Sequence, residues 1–516
     1  METFKNIIEY FSLFMTAVML VLITNKTLQI FQQSHYQFRS FKKNIKHYYL
    51  KDPSNFWPPY IFFFFYLHLW YIQLIYGIYL GVLIFFKVRR KSILKLKFTA
   101  RIKRIYFLLI ITNTLIASVL SWQAKLPHLG SAVAFLFLIT PFIVYFTALL
   151  IQPLEILISS MHLCRAKRKL VKIEPVIIGI TGSYGKTGTK NILFSFLQDK
   201  YMVLPSPASY NTMNGLALTI NRKLKKYHEV LIAEMGATEM KDIEKLVKFI
   251  RPKYGIITAI GPQHLETFKS IENILTEKTK LIQGLPGTGI AIVNFDNDYL
   301  RNYSFNSKCR IVSFGLREGV DYQARDVKTD LSGISFKTKY KNKEIELRTR
   351  LLGFHNLYNI LAAFALASEL GIPESELIYQ TSVLEPVENR LTLREEGDLV
   401  ILDDSFNSNP EGFKNALDVL SKFNKFKILI TPGIVEGGKE ESKINLGLAE
   451  KISAVCDLVI LIKTKASLSI KKGLDEHSYQ DVKVVEDFRK AIKFVKENYP
   501  DAAVLIENDI TDIYKI

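Results

Sequence analysis

The sequence predicts an α/β enzyme body preceded by an α-helical membrane region. Three observations predict it. Residues 1–172 hold 22 of the 68 lysines and arginines but only four acidic residues (Glu2, Glu9, Asp52 and Glu155), a balance of +18. Residues 173–516 hold 46 basic and 45 acidic residues, a balance of +1. The basic third is also the most apolar, as expected of membrane spans with basic flanks rather than of a nucleic-acid footprint. Beyond Glu174 short apolar runs alternate with helical stretches, the pattern of an α/β sheet. At 516 residues the chain is long enough for two or three domains. Its three cysteines, Cys164, Cys309 and Cys456, stand singly, which excludes a disulfide framework or a zinc ribbon and suits a cytosolic body.

Four stretches of the first third approach the roughly 20 apolar residues that a spanning helix needs: about 8–24, about 60–86, about 105–122 and about 128–152. The loop from Lys87 to Arg104 carries nine basic residues and Arg165–Lys172 carries five. Both read as cytoplasmic. The basic segment 25–55 conflicts with them, because four spans with the N-terminus inside would put it outside. The expectation is nonetheless four spans, N-terminus inside, body cytoplasmic. Glu9 and His68 lie in or beside apolar segments; an interfacial carboxylate and a backbone-bonded imidazole explain them better than a polar pathway would.

The first run of the body, Val176–Ile180, leads into Thr181-Gly182-Ser183-Tyr184-Gly185-Lys186-Thr187, and a helix with Ile192, Leu193, Phe196 and Leu197 follows. Strand, Gly-rich turn and helix N-terminus together make a phosphate cradle, since backbone N–H groups and the helix dipole face the anion. Gly182, Ser183 and Gly185 would line it, Lys186 would reach the β- and γ-phosphates, and Thr187 would ligate magnesium. The spacing departs from the strict form, because the earlier glycine is Gly179. A glycine turn with a surface lysine is the plainer alternative, and the flanking strand and helix argue against it. Glu234 ends the apolar run Val230–Ala233, so its carboxylate should emerge at the sheet's C-terminal edge as a hard oxygen ligand. Capping of the next helix is its alternative role.

The run TGSYGKTGT resembles the TG[ST]xGK[TS] loop of the Mur ligases, ATP-dependent amide-forming enzymes of peptidoglycan precursor synthesis. The likeness continues in order through Tyr210-Asn211-Thr212 with Gly215, Ala233-Glu234-Met235-Gly236, Gly261-Pro262-Gln263-His264-Leu265-Glu266, Gly353-Phe354-His355-Asn356-Leu357-Tyr358-Asn359, Asn389-Arg390-Leu391 and Asp403-Asp404-Ser405-Phe406-Asn407-Ser408-Asn409-Pro410. The last run is most similar to the D-alanyl-D-alanine-adding branch.

The resemblance implies a P-loop-type central ATPase domain over 173–383 and a C-terminal Rossmann-like domain over 384–516, after the membrane region 1–172. Strands are expected at Leu399–Leu402, Lys427–Thr431, Leu458–Ile462 and Ala503–Ile506. It implies a metal set of Thr187, Glu234, His264 and Lys278, with Lys278 carbamylated, and catalytic roles for Lys186, His264 and Lys278. Asn356 and Asn359 would face the adenine, and Asn356 can also cap its helix, which Gly371 would close. Arg390 and Asp404 would meet phosphate and ribose, with Asp403 an equal candidate if the register slips by one. Asn211, Ser405, Asn407 and Asn409 would contact substrate.

The implied chemistry uses ATP and Mg2+. A substrate carboxylate becomes an acyl phosphate, which an amine displaces to form an amide. The implied substrates are a muramyl tripeptide, UDP- or lipid-linked, and D-alanyl-D-alanine. The implied setting is the bacterial plasma membrane, multi-pass, with a membrane partner of wall synthesis and no nucleic acid. Three departures stand beside this. A membrane region replaces the UDP-holding first domain, Ile506-Glu507-Asn508-Asp509 differs from the family's Lys/Ser-containing final loop, and the run from Thr431 to Gly438 differs from its GDMLELG-like segment. A same-fold ligase for another amine or amino-acid polymer, and a non-catalytic ATP-binding scaffold, are the alternatives. The joint presence of Lys186, Thr187, Glu234, His264 and Lys278 argues against the scaffold.

Overall fold

The computed structural model describes residues 2–34, 36–51, 69–89, 96–123, 129–207, 210–263, 265–341, 343–387, 390–405, 409–435 and 440–508. It divides into two compact units, Met1–Ser159 and Ser160–Ile510.

The first unit is helical: α1 (Glu2–Gln33), α2 (Phe38–Lys51), α3 (Trp70–Arg89), α4 (Ala100–Gln123) and the start of α5 (Leu129–Ile173). Among the described residues two helices are long and apolar enough to cross a membrane, Thr3–Gln33 and Ile139–Ile173, rather than the four expected; Trp70–Phe85 is apolar but shorter. Residues 60–68, with His68, lie outside the described residues. The expected loop 25–55 is also corrected, because α1 continues to Gln33 and α2 occupies 38–51. Hydropathy falls after residue 24, but the helical ladder does not end there. Ser34 even returns its hydroxyl to the Ile30 carbonyl (2.7 Å), so polar residues prolong the helix while keeping their hydrogen bonds. Helix α5 likewise runs unbroken through Pro141 and Pro153 and past the apolar stretch to Ile173.

The second unit begins with a seven-stranded parallel sheet of β1 (Val176–Thr181), β2 (Val203–Pro205), β3 (Val230–Glu234), β4 (Tyr254–Ile257), β5 (Ile290–Asn294), β6 (Arg310–Gly315) and β7 (Tyr322–Gln323). Their order is β2-β3-β1-β4-β5-β6-β7. β1 is covered on both faces, as a parallel sheet requires. On one side Ile178 and Ile180 pack with Leu193 and Phe196 of α6 (Lys186–Leu197) and with the Ala-rich α7 (Phe354–Glu369). On the other, Ile177 packs with Leu231, Ile243, Leu246 and Leu281. The small side chains Ala362, Ala363, Ala365 and Ala367 of α7 are all buried, which lets that helix approach closely. An antiparallel sheet of β8 (Arg325–Asp330), β9 (Gly333–Tyr340) and β10 (Lys343–Thr349) is inserted before α7.

A six-stranded sheet follows, from β11 (Thr392–Glu396), β12 (Leu399–Asp404), β13 (Lys427–Thr431), β14 (Leu458–Ile462), β15 (Val482–Val485) and β16 (Ala503–Glu507). Its order is β11-β12-β16-β13-β14-β15, parallel except for the edge strand β11. The four expected C-terminal runs are β12, β13, β14 and β16; β11 and β15 were not foreseen because their faces are mostly exposed and carry little apolar signal.

Candidate active site

β1 lies between β3 and β4, and the register pairs Ile180 with Glu234 and Thr181 with Ile257. The chain therefore leaves β1 into a crevice flanked by the C-terminal ends of two neighbours, the position where open α/β sheets bind ligands. The turn that follows depends on two glycines. Gly185 has φ 81°, and a Cβ there would stand 2.6 Å from Asn359 Oδ1. At Gly182 a Cβ would collide with the Thr258 hydroxyl. Ser183 locks the turn sideways: its hydroxyl donates to the Gly261 carbonyl (3.0 Å) and accepts from the Gly261 N–H (3.1 Å). The Ser183 side chain thus braces the loop.

Lys186, the first residue of α6, curls back so that Nζ donates to the Gly182 (2.6 Å) and Ser183 (3.2 Å) carbonyls. Lys278, on the helix Ile271–Gln283, donates to the same Gly182 carbonyl at 2.9 Å. The Lys278 ammonium is buried, that of Lys186 is half-buried, and each repels the other. Burial, opposed by Glu234 and aided by Arg390, lowers the Lys186 pKa to about 8. Burial and then the nearby Lys186 charge push Lys278 well below the usual lysine range. Glu277 is spent elsewhere, accepting the Lys241 and Ile243 N–H groups (2.7 Å each).

Glu234 is the focus of the crevice. One oxygen accepts from Thr187 Oγ1 and Lys190 Nζ, both at 3.0 Å, and the other from Asn211 Nδ2 at 3.2 Å. Burial raises its pKa, but Lys190 and Lys186 outweigh that and hold it below the usual carboxylate range. The Lys190–Glu234 pair is buried on both sides, with side chains 2% and 3% exposed. Sequence reading missed Lys190. The available signal was its place four residues after Lys186, on the same helix face.

A cavity of about 710 Å³ adjoins this crevice. From the central domain it is lined by Gly185, Asn294, Asp296, His355, Asn356 and Asn359, and from the C-terminal domain by Arg390, Asp404, Asn409, Glu411 and Glu507. Asn359 Oδ1 accepts from Thr189 Oγ1 (3.2 Å), and its amide donates to Asn356 Oδ1 (3.1 Å). The capping role expected of Asn356 is not seen. Gly353 precedes the helix, and Asn356 instead donates back to the Leu352 carbonyl at 2.8 Å. Gly371 follows that helix with φ 75°, as its closing glycine should.

Strand alternation separates the two aspartates. Asp404 lines the cavity, whereas Asp403 pairs with Arg394 (3.2 Å) and accepts the Ser405 N–H (3.2 Å). Burial raises the Asp404 carboxyl to about 6 despite the Arg390 charge. Asn409 caps the following helix (Pro410–Leu420) through the Gly412 N–H at 2.9 Å, and its amide still borders the cavity. Burial and the Arg390 charge lower the His355 pKa to about 4, and its Nδ1 has no hydrogen-bond partner among the described residues. His264 and Asn407 lie outside the described residues. Among those described, no three His, Cys, Asp or Glu gather as a metal cage. The donor set Glu234 and Thr187 is nevertheless chemically suited to Mg2+, which usually takes one or two carboxylates and completes its shell with phosphate oxygens and water.

Two family models match this unit: the Mur ligase middle domain over residues 180–367 and the Mur ligase, glutamate ligase domain over 389–507. The UDP-N-acetylmuramoyl-tripeptide–D-alanyl-D-alanine ligase of Haemophilus influenzae is 29% identical over 323 residues, 61% of this chain and 70% of its own. That of Bacillus subtilis is 29% identical over 340 residues, 64% and 72%. Among solved structures, the MurF ligase of Thermotoga maritima in complex with ADP is similar with a TM-score of 0.62 at 25% identity, covering 69% of this chain and 81% of that one. MurF of Acinetobacter baumannii shares the fold with a TM-score of 0.61 at 23% identity. With both ligase domains matched in order around one phosphate-loop crevice, the chain belongs to the Mur ligase family of ATP-dependent ligases.

Proposed function

We propose that this chain joins D-alanyl-D-alanine to the free carboxylate of a muramyl tripeptide through an acyl phosphate. The observation that carries the reading is the meeting of Lys186, Thr187, Glu234 and Lys278 around one turn, beside a cavity bordered by Asp404 and Asn409. Residues 173–383 act as the ATP-binding domain and 384–516 as the domain that brings the amine. Lys186 neutralises the transferred phosphate, Asn356 and Asn359 border the adenine, and Arg390 with Asp404 meets phosphate and ribose. The substrate carboxylate attacks the γ-phosphorus of ATP, the bond to the bridging β,γ-oxygen breaks, and ADP leaves behind an acyl phosphate. The amine then displaces phosphate, and positioning and charge neutralisation supply the rate. Water kept out by the cavity walls spares the acyl phosphate from hydrolysis.

Magnesium held by Glu234 and Thr187 supplies Lewis-acid neutralisation of the phosphates. Carbamylation of Lys278 joins the amine nitrogen to carbon dioxide and releases one proton, which requires the neutral amine. The lowered pKa of Lys278 supports that reaction at neutral pH. The product carries a carboxylate-like charge where the free lysine would repel a cation. The first third anchors the chain in the plasma membrane with the ligase domains cytoplasmic, a reading supported by its two long apolar helices and its basic flanks.

The test uses full-length protein in detergent with ATP, Mg2+ and D-alanyl-D-alanine. Phosphate release and product mass are followed on UDP-linked and lipid-linked muramyl tripeptide, with Lys186→Ala as the blank. Amide formation on the UDP-linked acceptor makes the helical unit an anchor. Turnover confined to the lipid-linked acceptor gives that unit a role in substrate recognition. Absence of Lys186-dependent product with either defeats the D-alanyl-D-alanine assignment.

A further inference from the structure

The three basic segments of the first third cannot share one side of four crossings. The helical unit shows why the conflict arises. Phe4 of α1 lies against Trp70 of α3 (ring centroids 6.3 Å), and a Cβ at Gly77 would meet the Phe11 ring at 2.7 Å. Successive contacts 4 to 70 and 11 to 77 keep one offset, so α1 and α3 run parallel. The far end of α1 meets the start of α4. Gln32 Nε2 donates to the Lys97 carbonyl (2.9 Å), the Lys97 N–H donates to Gln32 Oε1 (3.0 Å), and the Arg101 guanidinium sits 4.3 Å over the Tyr36 ring. Arg104 then grips Glu155 of α5 with two hydrogen bonds, 2.6 and 2.8 Å.

α2 closes over the same end. Its Asn44 amide donates to Ser34 Oγ (3.0 Å), Phe38 packs on Tyr145 (5.3 Å), and Phe41 is 1% exposed. Its apolar Phe38, Phe41 and Ile45 face the helical core while Lys42 and Lys46 are exposed. Lys97, bonded to Gln32 at the end of α1, and Lys103, in the first turn of α4, are also exposed. Among the described residues the acidic side chain of this end, Glu155, is engaged by Arg104. Helix α5 continues past Glu155, unbroken, into Arg165–Lys172.

We propose that this end of the helical unit, built from α2 and the first turn of α4, is a docking surface for anionic phospholipid headgroups. It lies on the side of the membrane toward which α5 leads, and the N-terminus lies on the opposite side. The inference rests on the membrane reading given above. A basic amphipathic helix set on a bundle end holds its cations at headgroup depth. Each lysine there contributes about fivefold to the preference for an anionic lipid, the equivalent of roughly 1 kcal/mol.

The test takes the full chain in detergent with phosphatidylglycerol or phosphatidylcholine and reads retained lipid by native mass spectrometry. Phosphatidylglycerol is expected to be retained at least about tenfold over phosphatidylcholine, and the preference to vanish in the Lys42→Glu/Lys46→Glu/Lys97→Glu/Lys103→Glu variant. Equal retention of the two lipids, an unaffected variant, or displacement of the lipid by inorganic phosphate overturns the proposal. A second measurement labels Lys5→Cys and the natural Cys164 with an impermeant maleimide in sealed membranes of opposite orientation. Labelling from opposite faces is expected. Labelling from one face defeats the inference alone, whereas extraction of the chain by carbonate defeats the membrane reading on which it stands.

Discussion

Replacing Lys190 by methionine removes the cation from a pair whose atoms are 3.0 Å apart and whose side chains are 2% and 3% exposed. Methionine fills nearly the same space, so the cost comes from a carboxylate left in the sheet edge without its ammonium. Breaking a buried pair in this way costs about 3–5 kcal/mol. Glu234 keeps hydrogen bonds from Thr187 and Asn211, which places the expected loss near the lower end, about 3 kcal/mol. Adding Glu234→Gln removes the orphaned charge, and the double variant should lose roughly 2 kcal/mol less than the two single losses combined. The three tryptophans, Trp57, Trp70 and Trp122, all precede the ligase domains, so fluorescence would follow the wrong part of the chain. Pulse proteolysis in urea, reading the intact ligase fragment, avoids that. With a slope of about 3 kcal/mol/M the single variant should unfold roughly 1 M earlier. A loss below about 1 kcal/mol for Lys190→Met, or strict additivity in the double variant, would refute the reasoning.

Three further outcomes are expected. Gly185→Ala should abolish ADP binding by calorimetry while the fold persists, because it both strains a φ of 81° and pushes a methyl against Asn359 Oδ1; binding within threefold of wild type would count against the cradle. The Lys186 pKa of about 8 lies below its unfolded value, so the free protein carries this charge below pH 8 and loses it as pH rises. ADP affinity should fall by about tenfold per pH unit above that point, and a flat profile from pH 7 to 10 would contradict it. Activity should rise with added bicarbonate in carbon-dioxide-depleted buffer and Lys278→Arg should be insensitive to it; equal response of both proteins would remove the carbamate from the site.

The phosphate turn was legible because its chemistry is local. Gly182, Gly185, Lys186 and Thr187 act through neighbouring backbone, and a strand before with a helix after suffices to place them. Buried strands were equally plain, since Val176–Ile180 and Leu458–Ile462 carry no polar side chain; the exposed strands β11 and β15 were not. The choice between Asp403 and Asp404 needed the strand's register, because a shift of one residue turns a side chain to the other face. The partner of Glu234 needed the fold itself, as Lys190 reaches it across 44 residues of sequence.

Composition and motif order alone were enough to separate a basic apolar third from a neutral α/β ligase body, because hydropathy, charge and glycine spacing are properties of short stretches of chain. The direction of the helices was not, because an apolar stretch reads the same in either direction. The parallel course of α1 and α3, the folding of α2 over the end of the bundle and the burial of Lys190 against Glu234 each rest on contacts between residues far apart in sequence, and only packing decides which of those meet.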